Sequence, residues 1–241
     1  MSTSIFLSPH ADDICFSSFF AIAGLAGRET KIITVFSESC WTFRAAPNQD
    51  MRTEVTAARH KEDIAFAEYV DAALLTLDLP DSSLRYPLGS GGEYKTNVDS
   101  ILPVVRNRIA ELVQQHKGTL SVFAPIGISR HIDHLLVRDA ALDLFRGRAE
   151  LVLYEDLPYA ARLTPHEIAK FVQGTGLTLT EIRFSENCTS RSKRVALTLY
   201  PSQLETTTVN EILDHAESLM RCGGLYERAW RVEVADYETN Q

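Results

Sequence analysis

The sequence predicts an α/β fold with a Rossmann-like, mainly parallel β-sheet and helices on both faces. Over the first two-thirds of the chain, short apolar segments alternate with segments whose apolar residues recur at helical spacing. The short segments are continuously apolar, as is typical of strands buried on both faces of a parallel sheet. Strands joined by helices of this length form right-handed βαβ units, which predicts this fold class.

The first predicted elements follow one another directly from the N-terminus. A strand over 4–7 precedes a helical pattern over 13–26, and the β-branched run 31–36 is the second strand. A helix over 51–70 then leads to a third strand at 73–77. These elements predict two consecutive βαβ units.

The remaining elements begin with a loop over 79–95 that is rich in Pro, Gly and Ser. Its segment 89–92 is flexible in composition and is a candidate lid. Helix, strand, helix and strand follow, in that order: 98–115, 119–123, 132–145 and 150–154. After Pro165 the pattern is mixed, with a helix, a strand near 177–184, and helices from about Ser192 and Val209. We expect one domain over 1–241, with a Rossmann-like core at 1–160 and a mixed α/β extension of that domain at 161–241.

The composition of the chain narrows the classes of function. Its 241 residues carry 24 basic and 32 acidic side chains, a net charge of −8, which argues against a nucleic-acid partner. The N-terminus shows no basic region of a signal peptide, and no apolar run has the length and purity of a membrane span. The four cysteines have no CxxC spacing and predict reduced thiols. We therefore expect a cytoplasmic protein. The sequence does not fix its oligomeric state, and a homo-oligomer is one of the alternatives.

Two short polar clusters are the most informative feature of the sequence. One is Pro9-His10-Ala11-Asp12-Asp13, after the first strand, and the other is His131-Ile132-Asp133-His134, at the start of a helical stretch. Each follows a strand, and the carboxyl ends of parallel strands share one edge of a sheet, where ligands bind in open α/β folds. The two clusters are therefore predicted to form one site.

The side chains of these clusters suit a metal-dependent hydrolase. A catalytic zinc site needs three protein ligands and one open position, and imidazole and carboxylate are common ligands. His10 and Asp13 are three residues apart across a strand-to-helix turn, and His131 and His134 share a helix face. Asp12 points elsewhere and could accept a proton. The alternative for the aspartates is a structural one, as acidic residues that favour a helix N-terminus.

More of the chain resembles the PIG-L (LmbE-like) de-N-acetylases. The first cluster resembles their Pro/Ala-His-Pro-Asp-Asp-Glu signature, and the second matches their His-x-Asp-His. The family's second proline is Ala11 here, and its glutamate is Ile14, which favours a branch with less usual substrates. Supporting similarities lie in five other stretches: 59–62, 78–81, 154–159, 193–203 and 224–231.

The resemblance implies a role for each residue of the clusters. It implies zinc, or iron(II) or another divalent ion, held by three ligands: His10, Asp13 and His134. Asp12 matches the general base, and His131 the residue that stabilises the oxyanion or protonates the leaving amine. Asp133 matches the partner that orients His131, and Arg59 a substrate-contacting arginine. The implied reaction is the attack of zinc-bound water on the N-acetyl group of an amino sugar or amino-sugar-containing metabolite.

Two other hypotheses stay open at this point. The same site could cleave a longer N-acyl chain or a thiol-conjugate amide, with the difference in the loops at 37–50 and 78–95. The fold could also serve a non-catalytic binding protein. Within the first of these loops, Trp41, Phe43 and Arg44 could form a wall of the substrate pocket, or anchor the loop by packing.

Overall fold

A computed structural model describes residues 2–25, 27–86, 94–114, 116, 118–220 and 224–233 of the chain. The candidate lid at 89–92 lies outside these residues. The described part has seven strands: β1 Ser2–Ser8, β2 Glu29–Thr34, β3 Ala73–Thr76, β4 Thr119–Pro125, β5 Glu150–Tyr154, β6 Leu179–Ser185 and β7 Tyr226–Val232. It has ten α-helices: α1 Asp13–Ser17, α2 Phe19–Ala23, α3 Arg52–Val70, α4 Ser82–Arg85, α5 Tyr94–Ser100, α6 Leu102–Val113, α7 Ile132–Phe145, α8 Pro165–Gly174, α9 Lys193–Leu197 and α10 Thr206–Ser218.

The seven strands form one sheet in the order β3-β2-β1-β4-β5-β7-β6. Neighbours among β1 to β5 pair in parallel, and β7 runs antiparallel to both β5 and β6. The predicted α/β fold with a mainly parallel sheet is therefore confirmed. Strand β7 was missed because Glu227, Arg228 and Arg231 interrupt its apolar pattern.

The strand order places a topological switch point between β1 and β4. From β1 the chain moves outward through β2 to β3, then returns to β4 beside β1 and moves outward the other way to β5. Right-handed crossovers in opposite directions put their helices on opposite faces of the sheet. In such sheets the crevice at the carboxyl ends of the two strands at the switch point is the usual ligand site.

The core is densest around the central strands. Residues 3–8 of β1 are all buried, since helices cover both faces of the sheet. The ring of Phe6 in β1 stacks on Phe123 in β4, with centroids 4.3 Å apart. This packing fixes the ends of β1 and β4, from which the two polar clusters project.

Three segments differ from the prediction, because two predicted helices are each divided in two and a predicted loop contains a helix. The helix expected over 13–26 is two helices, α1 and α2, separated at Ser18. The helix expected over 98–115 is also two, α5 and α6, and Pro103 in the first turn of α6 accounts for the break. The predicted loop 79–95 contains helix α4, whose N-terminus is capped by the Asp81 carboxylate.

Two further observations concern membranes and thiols. Among the described residues, no helix combines the length and the apolar character needed to cross a bilayer.

Cys15 and Cys40 are buried and form no disulfide. For these two cysteines, free thiols agree with the reduced state that the sequence predicted.

Candidate active site

The two polar clusters meet at the carboxyl ends of β1 and β4. His10 lies just beyond β1, and His131 is the residue before α7, in the connection that follows β4. The ring of His10 is 5.0 Å from that of His131 and 5.3 Å from that of His134, measured between centroids. The structure thus brings together side chains that are distant in sequence, at the switch point of the sheet.

Asp13 lies between the two histidines predicted as metal ligands. One carboxylate oxygen, Oδ2, is 3.3 Å from His10 Nδ1, and the other, Oδ1, is 3.4 Å from His134 Nε2. The backbone N–H of His10 donates to Asp13 Oδ2 at 2.8 Å, which fixes the carboxylate at the first turn of α1. Burial opposes its ionisation, but the neighbouring His134 and His10 lower the pKa of Asp13 to about 2.

The far ring nitrogen of each of these histidines faces a second carboxylate. His10 Nε2 is 3.0 Å from Asp133 Oδ2, and His134 Nδ1 is 2.5 Å from Asp156 Oδ1. Asp156 is itself held by the backbone N–H of Ile128, at 2.8 Å. Histidines that bind metals usually donate their other N–H to a carboxylate in this way, which fixes the tautomer and the ring orientation. Asp156 is not among the predicted site residues, although its position just after the parallel strand β5 is a signal of such a role.

The carboxylate of Asp133 lies on a different histidine from the one that the family resemblance implied. It contacts His10 at 3.0 Å, whereas its nearest oxygen is 4.0 Å from His131 Nδ1. It also accepts the Ser82 N–H at 2.9 Å and an Arg85 N–H at 2.5 Å. Burial alone would raise the pKa of Asp133, but His10 and Arg85 hold it well below its usual range. Ser82 and Arg85 come from α4, inside the segment that the sequence assigned to a loop.

His131 is held by the backbone at the start of α7. Its Nδ1 is positioned to accept the backbone N–H of Asp133 at 3.3 Å, and its Nε2 is 3.4 Å from Ser82 Oγ, a geometry that fits a neutral ring with its hydrogen on Nε2. Burial, and the positive charge of His10 next to it, lower the pKa of His131 to about 3. The Asp133 carboxylate is 4.0 Å from His131 Nδ1, so the role of Asp133 as the partner that orients His131 stays a prediction.

Asp12 and Arg59 form a second charged pair in the site. Arg59 Nη2 is 3.6 Å from Asp12 Oδ1, and its Nη1 donates to Ser39 Oγ at 3.1 Å. Burial raises the pKa of Asp12, and the Arg59 guanidinium opposes this rise. Arg59 is buried in α3, and its described contacts are within the protein, so a substrate contact by Arg59 stays a prediction.

A cavity of about 480 Å³ lies in front of these residues, within the size range of small-molecule sites. The two polar clusters contribute His10, Asp12, Asp13, His131 and His134 to its lining, together with Arg59. Its other lining residues come from helices and loops and include Trp41, Phe43, Tyr159 and Gln203. The expected pocket role of Trp41 and Phe43 is consistent with this position. Arg44 is outside the lining and donates to the Pro201 carbonyl at 3.0 Å.

The donor atoms fit a divalent metal ion. Among the described residues, two groups of side chains have their ligand atoms within 4.8 Å of one another: His10, His131 and His134, and His10, Asp12 and Asp13. Imidazole nitrogens with a carboxylate suit zinc and iron(II) alike. The set predicted as ligands, His10, Asp13 and His134, draws on both groups.

The profile of the PIG-L family, described as GlcNAc-PI de-N-acetylase, matches residues 5–145. This match spans more than half of the chain, and it includes both polar clusters and Arg59. The chain belongs to the PIG-L family. The family resemblance inferred from the sequence motifs is therefore confirmed.

Individual proteins similar to this PIG-L chain include the 2'-N-acetylparomamine deacetylase of Streptomyces fradiae, 26% identical over 88% of this chain and 77% of its own length. A deacetylase of the teicoplanin biosynthesis pathway has the same fold, with a TM-score of 0.77, 24% identity, and coverage of 98% of this chain and 99% of its own. The zinc-inhibited form of teicoplanin deacetylase Orf2 aligns with a TM-score of 0.75 and 23% identity, over 98% of this chain and 99% of its own.

Proposed function

We propose that this PIG-L protein is a metal-dependent hydrolase that removes the N-acetyl group from an amino sugar or an amino-sugar-containing metabolite. The observation that carries the proposal is the arrangement around Asp13. His10 and His134 each turn one ring nitrogen toward its carboxylate and the other toward a second carboxylate. Membership of the family and the deacetylase activity named for the paromamine relative support the reaction and the substrate class.

The metal would be held by His10 through Nδ1, by the Asp13 carboxylate and by His134 through Nε2. When bound, a divalent ion lowers the pKa of a water molecule and polarises the amide carbonyl. Zinc is the ion that we propose. Iron(II) suits the same ligands. Because a similar deacetylase has a zinc-inhibited form, zinc should be tested at one equivalent per protein and below, where excess zinc cannot inhibit.

Asp12 is the general base in this proposal. Its carboxylate lines the cavity beside the proposed ligands, and Arg59 fixes one of its oxygens. The carboxylate takes a proton from the attacking water and then passes it to the departing amine nitrogen, so that amide and water give acetate and a free amine.

His131 stabilises the negative charge that develops on the carbonyl oxygen. The backbone N–H of Asp133 occupies its Nδ1, so the Nε2–H is the group that can donate into the cavity. A neutral imidazole suits this role better than proton transfer to the amine, which Asp12 can perform. Asp133 has a separate role, which is to orient His10.

Amine release from N-acetylated amino sugars tests the proposal, with metal-depleted protein and with protein given zinc or iron(II). We expect activity only with metal. His10→Ala, Asp13→Ala and His134→Ala should lose bound metal, whereas Asp12→Ala should keep metal and lose turnover. Asp214→Ala, an exposed carboxylate on α10, is the matched control and should behave as the unmodified protein.

Two outcomes would count against the proposed function. Full turnover in Asp12→Ala would show that Asp12 is not the general base. Failure to bind a divalent ion, measured by elemental analysis after reconstitution, would favour a non-catalytic binding protein. Quantifying the released acid in the same assay separates acetate from a longer acyl chain, and thus distinguishes the deacetylase from the alternative amidase.

A further inference from the structure

Aromatic side chains surround the mouth of the cavity and stay exposed. Trp41 is 40% exposed, Phe43 38% and Tyr159 39%, and all three line the cavity. The large aliphatic side chains with comparable exposure in the described part of the chain lie elsewhere: Ile64, Val104, Leu112, Val195 and Met220. Exposed apolar surface that gathers at a cavity, rather than being scattered, marks a binding surface.

The loop that carries Trp41 and Phe43 is fixed by polar contacts. The hydroxyl of Thr42 donates to the Ser202 carbonyl at 2.8 Å, and the backbone N–H of Trp41 donates to Ser39 Oγ at 3.0 Å. The Arg44 guanidinium, 5.5 Å from the Phe43 ring, is bound to the Pro201 carbonyl. The loop is therefore anchored through its polar atoms, with the Phe43 ring against the Arg44 guanidinium, and both rings keep more than a third of their surface exposed.

Tyr159 brings a third ring close to the reaction centre. It follows β5, and its ring centroid is 6.1 Å from that of His134, at right angles to it. The aromatic lining of the cavity therefore includes two rings of the exposed loop and one ring beside a proposed metal ligand. A bound substrate can contact the polar lining and the aromatic mouth together.

We infer that the substrate is an N-acetylated amino sugar that carries an apolar, aromatic aglycone, which packs on Trp41, Phe43 and Tyr159. This inference rests on the proposed function. The acetamido sugar suits the polar lining, with its imidazoles and carboxylates, and the aglycone suits the rings, because aromatic groups stack favourably beyond their buried area.

The test compares two glycosides of N-acetylglucosamine, one with a methyl and one with a 2-naphthyl aglycone. We expect kcat/KM for the naphthyl compound to be about tenfold higher, chiefly through KM, which is the ratio that one good aromatic contact of about 1.4 kcal/mol gives. In Trp41→Ser/Phe43→Ser this ratio should fall to near one. Val195→Ser, an exposed apolar side chain away from the cavity, is the control and should keep the ratio.

The outcomes separate this inference from the proposed function. Equal kcat/KM values for both glycosides, or an unchanged preference in Trp41→Ser/Phe43→Ser, overturn the inference while the deacetylase activity stands. If neither glycoside is deacetylated, the proposed function fails. Titration calorimetry of the naphthyl glycoside with metal-loaded Asp12→Ala then shows whether the aromatic mouth still binds an aglycone, since binding without turnover supports the binding surface alone.

Discussion

Lys193 and Glu227 form a buried ion pair that ties β7 to the helices behind β1. Their side chains are 0% and 2% exposed, and Lys193 Nζ is 2.5 Å from Glu227 Oε1. Lys193 also donates to the Phe16 carbonyl at 2.6 Å, at the end of α1. The Glu227 carboxylate accepts the backbone N–H groups of Phe19, at 3.0 Å, and Phe20, at 2.7 Å, at the start of α2.

This geometry predicts a large and non-additive loss of stability. Lys193→Met leaves the carboxylate buried without a cation, and Glu227→Gln leaves the ammonium without an anion. Removing one partner of a buried pair costs about 3–5 kcal/mol, against a total stability of about 5–15 kcal/mol for a typical domain. The double variant leaves no unpaired charge, so its cost should be close to that of one single variant, with a coupling energy of about 3 kcal/mol.

Urea unfolding at a fixed free-metal concentration measures these free energies, because bound metal would otherwise add to stability. The slope of the free energy of unfolding against urea should be the same in all four proteins. The reasoning is refuted if each single variant costs less than 1 kcal/mol, as an exposed pair would. Costs that add within about 0.5 kcal/mol in the double variant would also refute it.

Two further predictions concern buried carboxylates. Asp63 accepts hydrogen bonds from Thr34, at 2.6 Å, and Tyr200, at 3.1 Å, and burial raises its pKa from 3.8 to about 7. Between these two pKa values, the folded state binds more protons than the unfolded state. The contribution of Asp63 to the free energy of unfolding is therefore greatest at low pH. It falls by about 1.4 kcal/mol per pH unit between about pH 5 and 6, and by about half that slope at pH 7. Urea unfolding at several pH values should show a fall in this window that Asp63→Asn lacks; equal slopes in both proteins would contradict it. Asp156→Asn should raise the dissociation constant for zinc about 10–100-fold in competition with a chelating dye, since His134 loses its carboxylate partner, and an unchanged constant would exclude that role.

The pattern of strands and helices was predictable because it depends on local periodicity. The bounds 132–145 and 150–154 agree with α7 and β5, where long apolar periodicity dominates. Strand β7 was not predictable in this way. Its charged side chains are compensated by partners from distant segments, such as Lys193 for Glu227 and Glu155 for Arg228, and no local pattern shows such partners.

By itself, the sequence determined the fold class and predicted the two polar clusters of the candidate site, because strand-to-helix turns with paired histidines and aspartates are local features. Only the tertiary structure decided how those residues pair. It placed the Asp133 carboxylate on His10 rather than on His131, added Asp156 behind His134, and put Arg59 beside Asp12. Such pairings depend on which loops meet at the switch point between β1 and β4. That meeting is fixed by the burial of the whole sheet and not by any single segment.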